Sequence, residues 1–309
     1  MPRGTAHGWG VCGRYLASEL AELVNLHFIT EPFEFKNIGN VNQFEVLSKC
    51  FLPVEQLNGS KDANGNICAN VPVIQAITGV DFIPYLTHIQ GSITVGYTFF
   101  ENNILSEKNL KQAENYYDLI ATGSHWCEDV LKSYNFPKTK TVIQGIDPLL
   151  FHQMEQKEMH QDYFVIFSGG KLEFRKGQDL VIRAVKVMQE KYKDVLLVTS
   201  WFNNWPHSLN SMGYSPYIRF EMPSGTYQDA VKHLLSINGI DVERVIIYPP
   251  LRNNVMPEVY RNTDIGLFPN RCEGGTNLVM MEYMACGRPV IASNLTGQKD
   301  VLNQEYAFL

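Results

Sequence analysis

Two glutamates flank a glycine turn and a helix start in the segment Glu273-Gly274-Gly275-Thr276-Asn277-Leu278 through Glu282. The glycines permit positive φ and let a ligand approach the backbone closely. Free amides at the start of the following helix form an anion site suited to a phosphate. A carboxylate accepts hydrogen bonds from two adjacent hydroxyls, so Glu273 before the turn and Glu282 within the helix suit a polyol such as ribose or a hexose. Taken singly, either glutamate fits equally well as a solvated side chain on a plain strand–helix–strand unit.

The elements that would position these groups are readable around them. Ile265 to Phe268 is a short apolar run stopped by Pro269, which predicts a buried parallel strand. Residues from about Asn277 to Cys286 tolerate a helix, and Gly287 stands where a C-cap belongs. Pro289 then admits a second strand, Val290-Ile291-Ala292. Strand, glycine turn, helix and strand make one βαβ unit of a parallel sheet.

The whole string, ending in Glu282-Tyr-Met-Ala-Cys-Gly-Arg-Pro-Val-Ile-Ala-Ser293, resembles the signature of retaining GT-B glycosyltransferases of the GT4-like group. There is one departure: the two glutamates stand one residue further apart than is usual in the family, the addition falling in Gly275-Thr276-Asn277. A second match lies upstream. Tyr163-Phe-Val-Ile-Phe-Ser168 reads as a strand, and Gly170-Lys171-Leu-Glu-Phe-Arg175-Lys176-Gly177 resembles the family's "G-R-L-x-x-x-K-G". The resemblance implies that Lys171, in the arginine place, and Lys176 reach a donor diphosphate, with Arg175 assisting. Lysine for arginine keeps the charge and loses the two-pronged geometry. Charge-assisted hydrogen bonds contribute about 1.5–3 kcal/mol each, enough for two lysines and a helix terminus to hold a diphosphate. A third match, Thr141-Val-Ile-Gln-Gly145-Ile-Asp147-Pro-Leu-Leu-Phe151, resembles the segment that closes the family's first domain.

What the resemblance implies is an α/β chain of two Rossmann-like domains with parallel sheets facing across a cleft. Residues 1–157 would form the N-terminal acceptor-side domain and 158–309 the nucleotide-sugar donor domain, joined by a polar stretch from Glu155 to Gln161. The implied reaction moves a sugar from a nucleotide-diphosphate sugar to an acceptor hydroxyl of a polysaccharide, lipid-linked sugar or small glycoside, with retained configuration. Lys176 and Glu273 would act at the reacting centre, and Gly274, Gly275, Thr276, Asn277, Leu278 and Glu282 would bind the donor. The strand Ser92 to Tyr97 leads to Phe100 and Glu101; many relatives carry a histidine and an acid there, and Glu101 stands in the acid's place. No cofactor and no metal are implied, because the lysines take the neutralising role.

At the other end of the chain, Gly8-Trp-Gly10-Val-Cys-Gly13 precedes a helix pattern from Arg14 to Val24 and a strand from Val24 to Thr30, closed by Glu31. This G-x-G-x-x-G with a distant acid is the pattern of a dinucleotide loop, and it keeps an NAD-dependent oxidoreductase open as an alternative. The fingerprint lacks a preceding strand, and the glycosyltransferases it resembles also carry a glycine loop here. A nucleotide-sugar epimerase or phosphorylase fits the same architecture, as does a nucleotide-sugar-binding protein without turnover. The family's opening strand and terminal helices have no counterpart in the sequence, so a chain trimmed at both ends is expected.

Length and composition bound these readings. At 309 residues two domains are the natural expectation, and a net charge of −6 gives no global attraction to nucleic acid or to an anionic membrane. Any phosphate site must be built locally. No apolar run reaches the roughly 20 residues of a membrane span, and the first residues are too polar for a signal peptide. The six cysteines have no metal-ligand spacing. A reduced, cytoplasmic chain is the expectation.

Overall fold

The computed structural model describes residues 8–30, 38, 40–53, 56, 60–61, 65–85, 88–155, 157–203 and 206–303. It divides into two compact units: Met1–Gly145 with Gly274–Thr276, and Ile146–Glu273 with Asn277–Leu309.

The first unit opens with α1 (Gly8–Leu23), β1 (Phe28–Ile29), α2 (Val41–Cys50) and β2 (Phe51–Leu52). It continues through β3 (Ser60–Lys61), β4 (Ile67–Cys68), β5 (Val73–Ala76), β6 (Ile89–Gln90) and β7 (Thr94–Thr98). Then come α3 (Glu107–Tyr116), β8 (Leu119–Thr122), α4 (His125–Ser133) and β9 (Thr139–Thr141). Strands β5, β7, β8 and β9 form a parallel sheet in that order, while β1 pairs with β2 and β3-β4-β6 make a small third sheet. Caps set the helix starts: Ser106 Oγ accepts from Asn109 N, and Ser124 Oγ accepts from Cys127 N. Ile77, Phe100, Tyr117, Ile120, Cys127 and Leu131 pack into the core of this unit.

Two expectations are corrected here. Gly8, Gly10 and Gly13 do not form a loop; they lie inside α1. The buried positions Gly10, Gly13, Arg14 and Ala17 recur at helical spacing, so the packed face of the helix runs through the glycines. The strand expected over Val24 to Thr30 shrinks to Phe28–Ile29. Glu31, the acid of the dinucleotide pattern, lies outside the described residues.

The second unit is built as β10 (Phe164–Gly170), α5 (Gln178–Lys191), β11 (Val195–Trp201), α6 (Tyr227–Ile237), β12 (Val245–Ile247), α7 (Met256–Arg261), β13 (Ile265–Phe268), α8 (Leu278–Ala285) and β14 (Val290–Ala292). All five strands are parallel, in the order β12-β11-β10-β13-β14. Strand alternation explains the two helix layers. Val165 and Phe167 of β10 and Leu196 and Val198 of β11 face α7 and α8, meeting Tyr260, Met280 and Tyr283. Ile166, Val195 and Leu197 face the other way, onto Val181, Val185, Val231 and Leu235 of α5 and α6. Phe151 of the motif ending the expected first domain is buried in the α7–α8 layer, 6.2 Å from the Tyr260 ring centroid. The division between the two compact units falls at Gly145, inside that motif.

The strand order reverses between β10 and β13. In an open parallel sheet this switch point leaves a crevice at the carboxyl ends of the two strands, where ligands bind. The chain leaves β10 into Lys171 and leaves β13 into Pro269 and Asn270.

Candidate functional site

Two loops meet at that switch point. The loop after β10 closes as a 3-10 turn, Phe174–Lys176, and enters α5 through Gly177. Gly177 has φ 75°, and a Cβ there would lie 2.1 Å from the Pro269 carbonyl oxygen. Only glycine lets the two loops approach this closely. Backbone bonds complete the junction: the Arg271 and Cys272 amides both donate to the Arg175 carbonyl, at 2.7 and 3.3 Å.

The junction brings Lys176, Arg175 and Glu273 together. Lys176 Nζ pairs with Glu273 Oε1, Arg175 Nη1 lies 3.4 Å from Glu273 Oε2, and Asn270 Nδ2 donates to Glu273 Oε1. The Glu273 amide donates to Thr296 Oγ1 at 2.8 Å, fixing the residue from its main chain as well. Glu273 is 5% exposed. Burial pushes its carboxyl up, but Lys176 and Arg175 outweigh that and hold it below the ordinary carboxylate value. Glu273 is therefore ionised at neutral pH, and two half-buried cations are held beside it.

Glu173 extends the cluster. Its Oε2 accepts from Arg175 Nε at 2.8 Å, and its Oε1 lies 3.9 Å from Lys171 Nζ. Lys171 is the more exposed cation of the group. Gln178 Nε2 donates to the Lys171 carbonyl at 2.6 Å, which anchors the strand end.

The helix side of the site is arranged differently. Leu278 begins α8, capped by Asn277, whose Oδ1 accepts from Met280 N at 3.4 Å. The turn that carries the additional residue ends at Asn277, left-handed at φ 63°. Asn277 Nδ2 is buried without a hydrogen-bond partner among the described residues. Glu282 is 4% exposed, and its carboxylate accepts from Asn253 Nδ2 at 2.6 Å and Tyr260 OH at 3.0 Å. It is held in the layer between α7 and α8.

The remaining expected residues belong to the first unit. Gly274 packs on the Phe100 backbone, where a Cβ would meet the Phe100 carbonyl oxygen at 2.5 Å; its own carbonyl accepts from Ser124 Oγ at 2.6 Å. Gly275 lies beside Gln144 and Phe99, and Thr276 is fully buried. Glu101 is exposed just beyond β7, after the buried Phe100. Gly8, Gly10 and Gly13 form part of a helix and offer no phosphate loop.

Several contributors went unread in the sequence: Asn270 at Glu273, Glu173 at Lys171 and Arg175, Arg271 with its partner Asp179, and Asn253 at Glu282. Arg271 and Asp179 form a bidentate pair, Nη1–Oδ1 and Nη2–Oδ2 both at 2.8 Å, with Asp179 fully buried. For Glu173, Asp179 and Arg271 the sequence signal was charge within or next to a matched motif; the uncharged Asn270 and Asn253 offered none. The long connection after β11 braces the basic loop. Asn203 Oδ1 accepts from Leu172 N, Asn203 Nδ2 donates to Leu172 O, and Ser211 Oγ accepts from Phe174 N.

Among the described residues no helix is long and apolar enough to cross a membrane. Curated relatives are distant. Spore coat protein SA of Bacillus subtilis (strain 168) is 25% identical over 183 residues, 54% of this chain and 43% of that protein. D-inositol 3-phosphate glycosyltransferase of Xylanimonas cellulosilytica is 23% identical over 216 residues, 65% of this chain and 46% of that protein. The chain spans less than half the length of these relatives. Among solved structures, HepE of Anabaena in complex with UDP and glucose aligns at TM-score 0.50 and 18% identity, over 69% of this chain and 56% of that one. Sucrose-phosphate synthase of Thermosynechococcus elongatus aligns at TM-score 0.51 and 17% identity, over 71% and 54%. That likeness fixes the fold as the parallel-sheet α/β architecture of GT-B glycosyltransferases. Residues 163–309, which hold the whole cluster of cations and carboxylates described above, match the model of the glycosyl transferases group 1.

Proposed function

We propose that the protein transfers a sugar from a nucleotide-diphosphate sugar to an acceptor hydroxyl, with retention of configuration, and that its second unit holds the donor. The observation that carries this reading is the convergence of Arg175 and Lys176 on Glu273 at the switch point of the parallel sheet.

The chemistry follows from charge. As the bond between the anomeric carbon and the diphosphate breaks, negative charge grows on the leaving phosphate. Cations already fixed and partly desolvated stabilise that charge without reorganising. Before the donor arrives, Glu273 and Glu173 together balance Lys176 and Arg175 and so hold them in place. A diphosphate carries more negative charge than one carboxylate and draws both cations to itself. Glu273 is then released to accept hydroxyls of the donor sugar beside the reacting carbon. Lys171 supplies a third, more exposed cation. Glu282 takes the ribose hydroxyls, and the departing diphosphate oxygen receives the acceptor proton. Three side-chain cations take the neutralising role in this scheme, so nucleotide binding should persist in EDTA.

Calorimetric titration with UDP, GDP and ADP, their common sugar conjugates and NADH tests the reading. One nucleoside diphosphate and its sugar conjugate should bind, with affinity falling at least tenfold in Lys176→Ala. Binding of NADH alone, or affinity for the diphosphate indifferent to Lys176→Ala, would overturn it.

A further inference from the structure

Arg271 is the hub of the loop junction, although it points no charge at the crevice. Its two terminal nitrogens are taken by the two oxygens of Asp179, each at 2.8 Å. Nη1 also donates to the Phe174 carbonyl at 2.6 Å, and the guanidinium lies 4.0 Å over the Phe174 ring centroid. Its main-chain amide donates to the Arg175 carbonyl at 2.7 Å. One side chain thus grips the 3-10 turn through a carbonyl, a ring and the first turn of α5. Asp179 is in turn fixed by Ser215 Oγ at 2.6 Å, from the long connection after β11.

We propose that Arg271 is the positioning residue of the donor site: it sets the turn Phe174–Lys176 so that Arg175 and Lys176 are aimed at the diphosphate. The inference rests on the donor-site reading above. The pairing with Asp179 cancels the charge of Arg271, so the residue supplies geometry and leaves the attraction to its neighbours. Lysine cannot replace it, because an ammonium lacks both the fork that spans a carboxylate and the flat face that stacks on a ring.

A positioning role is distinguishable from plain stabilisation by the phosphate increment, the ratio of affinities for a nucleoside diphosphate and the matching monophosphate. The pairs UDP and UMP, GDP and GMP, and ADP and AMP are titrated into wild-type protein, Arg271→Lys and the double variant Arg271→Met/Asp179→Asn. The double variant removes both charges and so avoids burying an unpaired carboxylate. The expected result is a monophosphate affinity changed less than twofold and a phosphate increment reduced at least tenfold in both variants. An increment equal to that of wild type in both variants, whatever their melting temperatures, overturns the inference alone. Wild-type protein that binds none of the diphosphates overturns the donor-site reading and this inference with it.

Discussion

Each oxygen of the Glu282 carboxylate already accepts one hydrogen bond, from Asn253 and from Tyr260. A carboxylate has about four acceptor sites, and on the proposed reading ribose hydroxyls would compete for them. Glu282→Gln keeps the volume and removes half of that capacity. The expected outcome is a tenfold preference for a ribonucleoside diphosphate over its 2′-deoxy analogue in wild type, reduced to near parity in the variant and read by calorimetry. An unchanged preference would assign Glu282 to the core alone. Glu273 behaves differently because its partners are cations. Its folded carboxyl sits below the ordinary value, so the stability it contributes is present at neutral pH and is lost as pH falls through the folded value. Both glutamates were readable from the motif. Their partners were not, because Asn253 and Arg175 reach them only through the packing of separate loops.

At the scale of elements, what was legible had punctuation. The βαβ around β13, α8 and β14 follows the sequence closely because Pro269, Gly287 and Pro289 mark its ends. The glycines of α1 misled because a glycine is silent in a hydrophobic pattern: it permits a loop and equally permits a close-packed helix face. Gly177 shows the opposite case, a glycine the fold requires. In Gly177→Ala a Cβ would press on the Pro269 carbonyl at a left-handed φ. A left-handed alanine alone costs about 1 kcal/mol, and overpacking against backbone adds about 1–3. The denaturant midpoint should fall by an amount equivalent to about 2–4 kcal/mol, and diphosphate affinity should fall with it as the loops separate. A variant as stable as wild type would show that the junction can open at little cost.

At the scale of the whole chain, each unit carries its own apolar core, so a ligand held by one unit need not stabilise the other. The cysteines report on this directly. Cys286 is buried in the α7–α8 layer, where burial and the nearby Glu282 push its thiol up to about 11, so it stays protonated and unreactive at pH 8. Cys127 is buried in the first unit, donating to the carbonyls of Phe100 and Gly274. Cys68 is exposed. With a nucleoside diphosphate at 100 times its dissociation constant, the bound unit gains about 2.7 kcal/mol, or about a hundredfold fewer openings. In thiol labelling read by mass spectrometry in mild urea, Cys286 should slow by about that factor, while Cys127 and Cys68 keep their rates. Equal slowing of Cys127 and Cys286 would mean that the two units open as one body. Slowing of Cys127 alone would move the nucleotide to the first unit, away from Lys176 and Glu273.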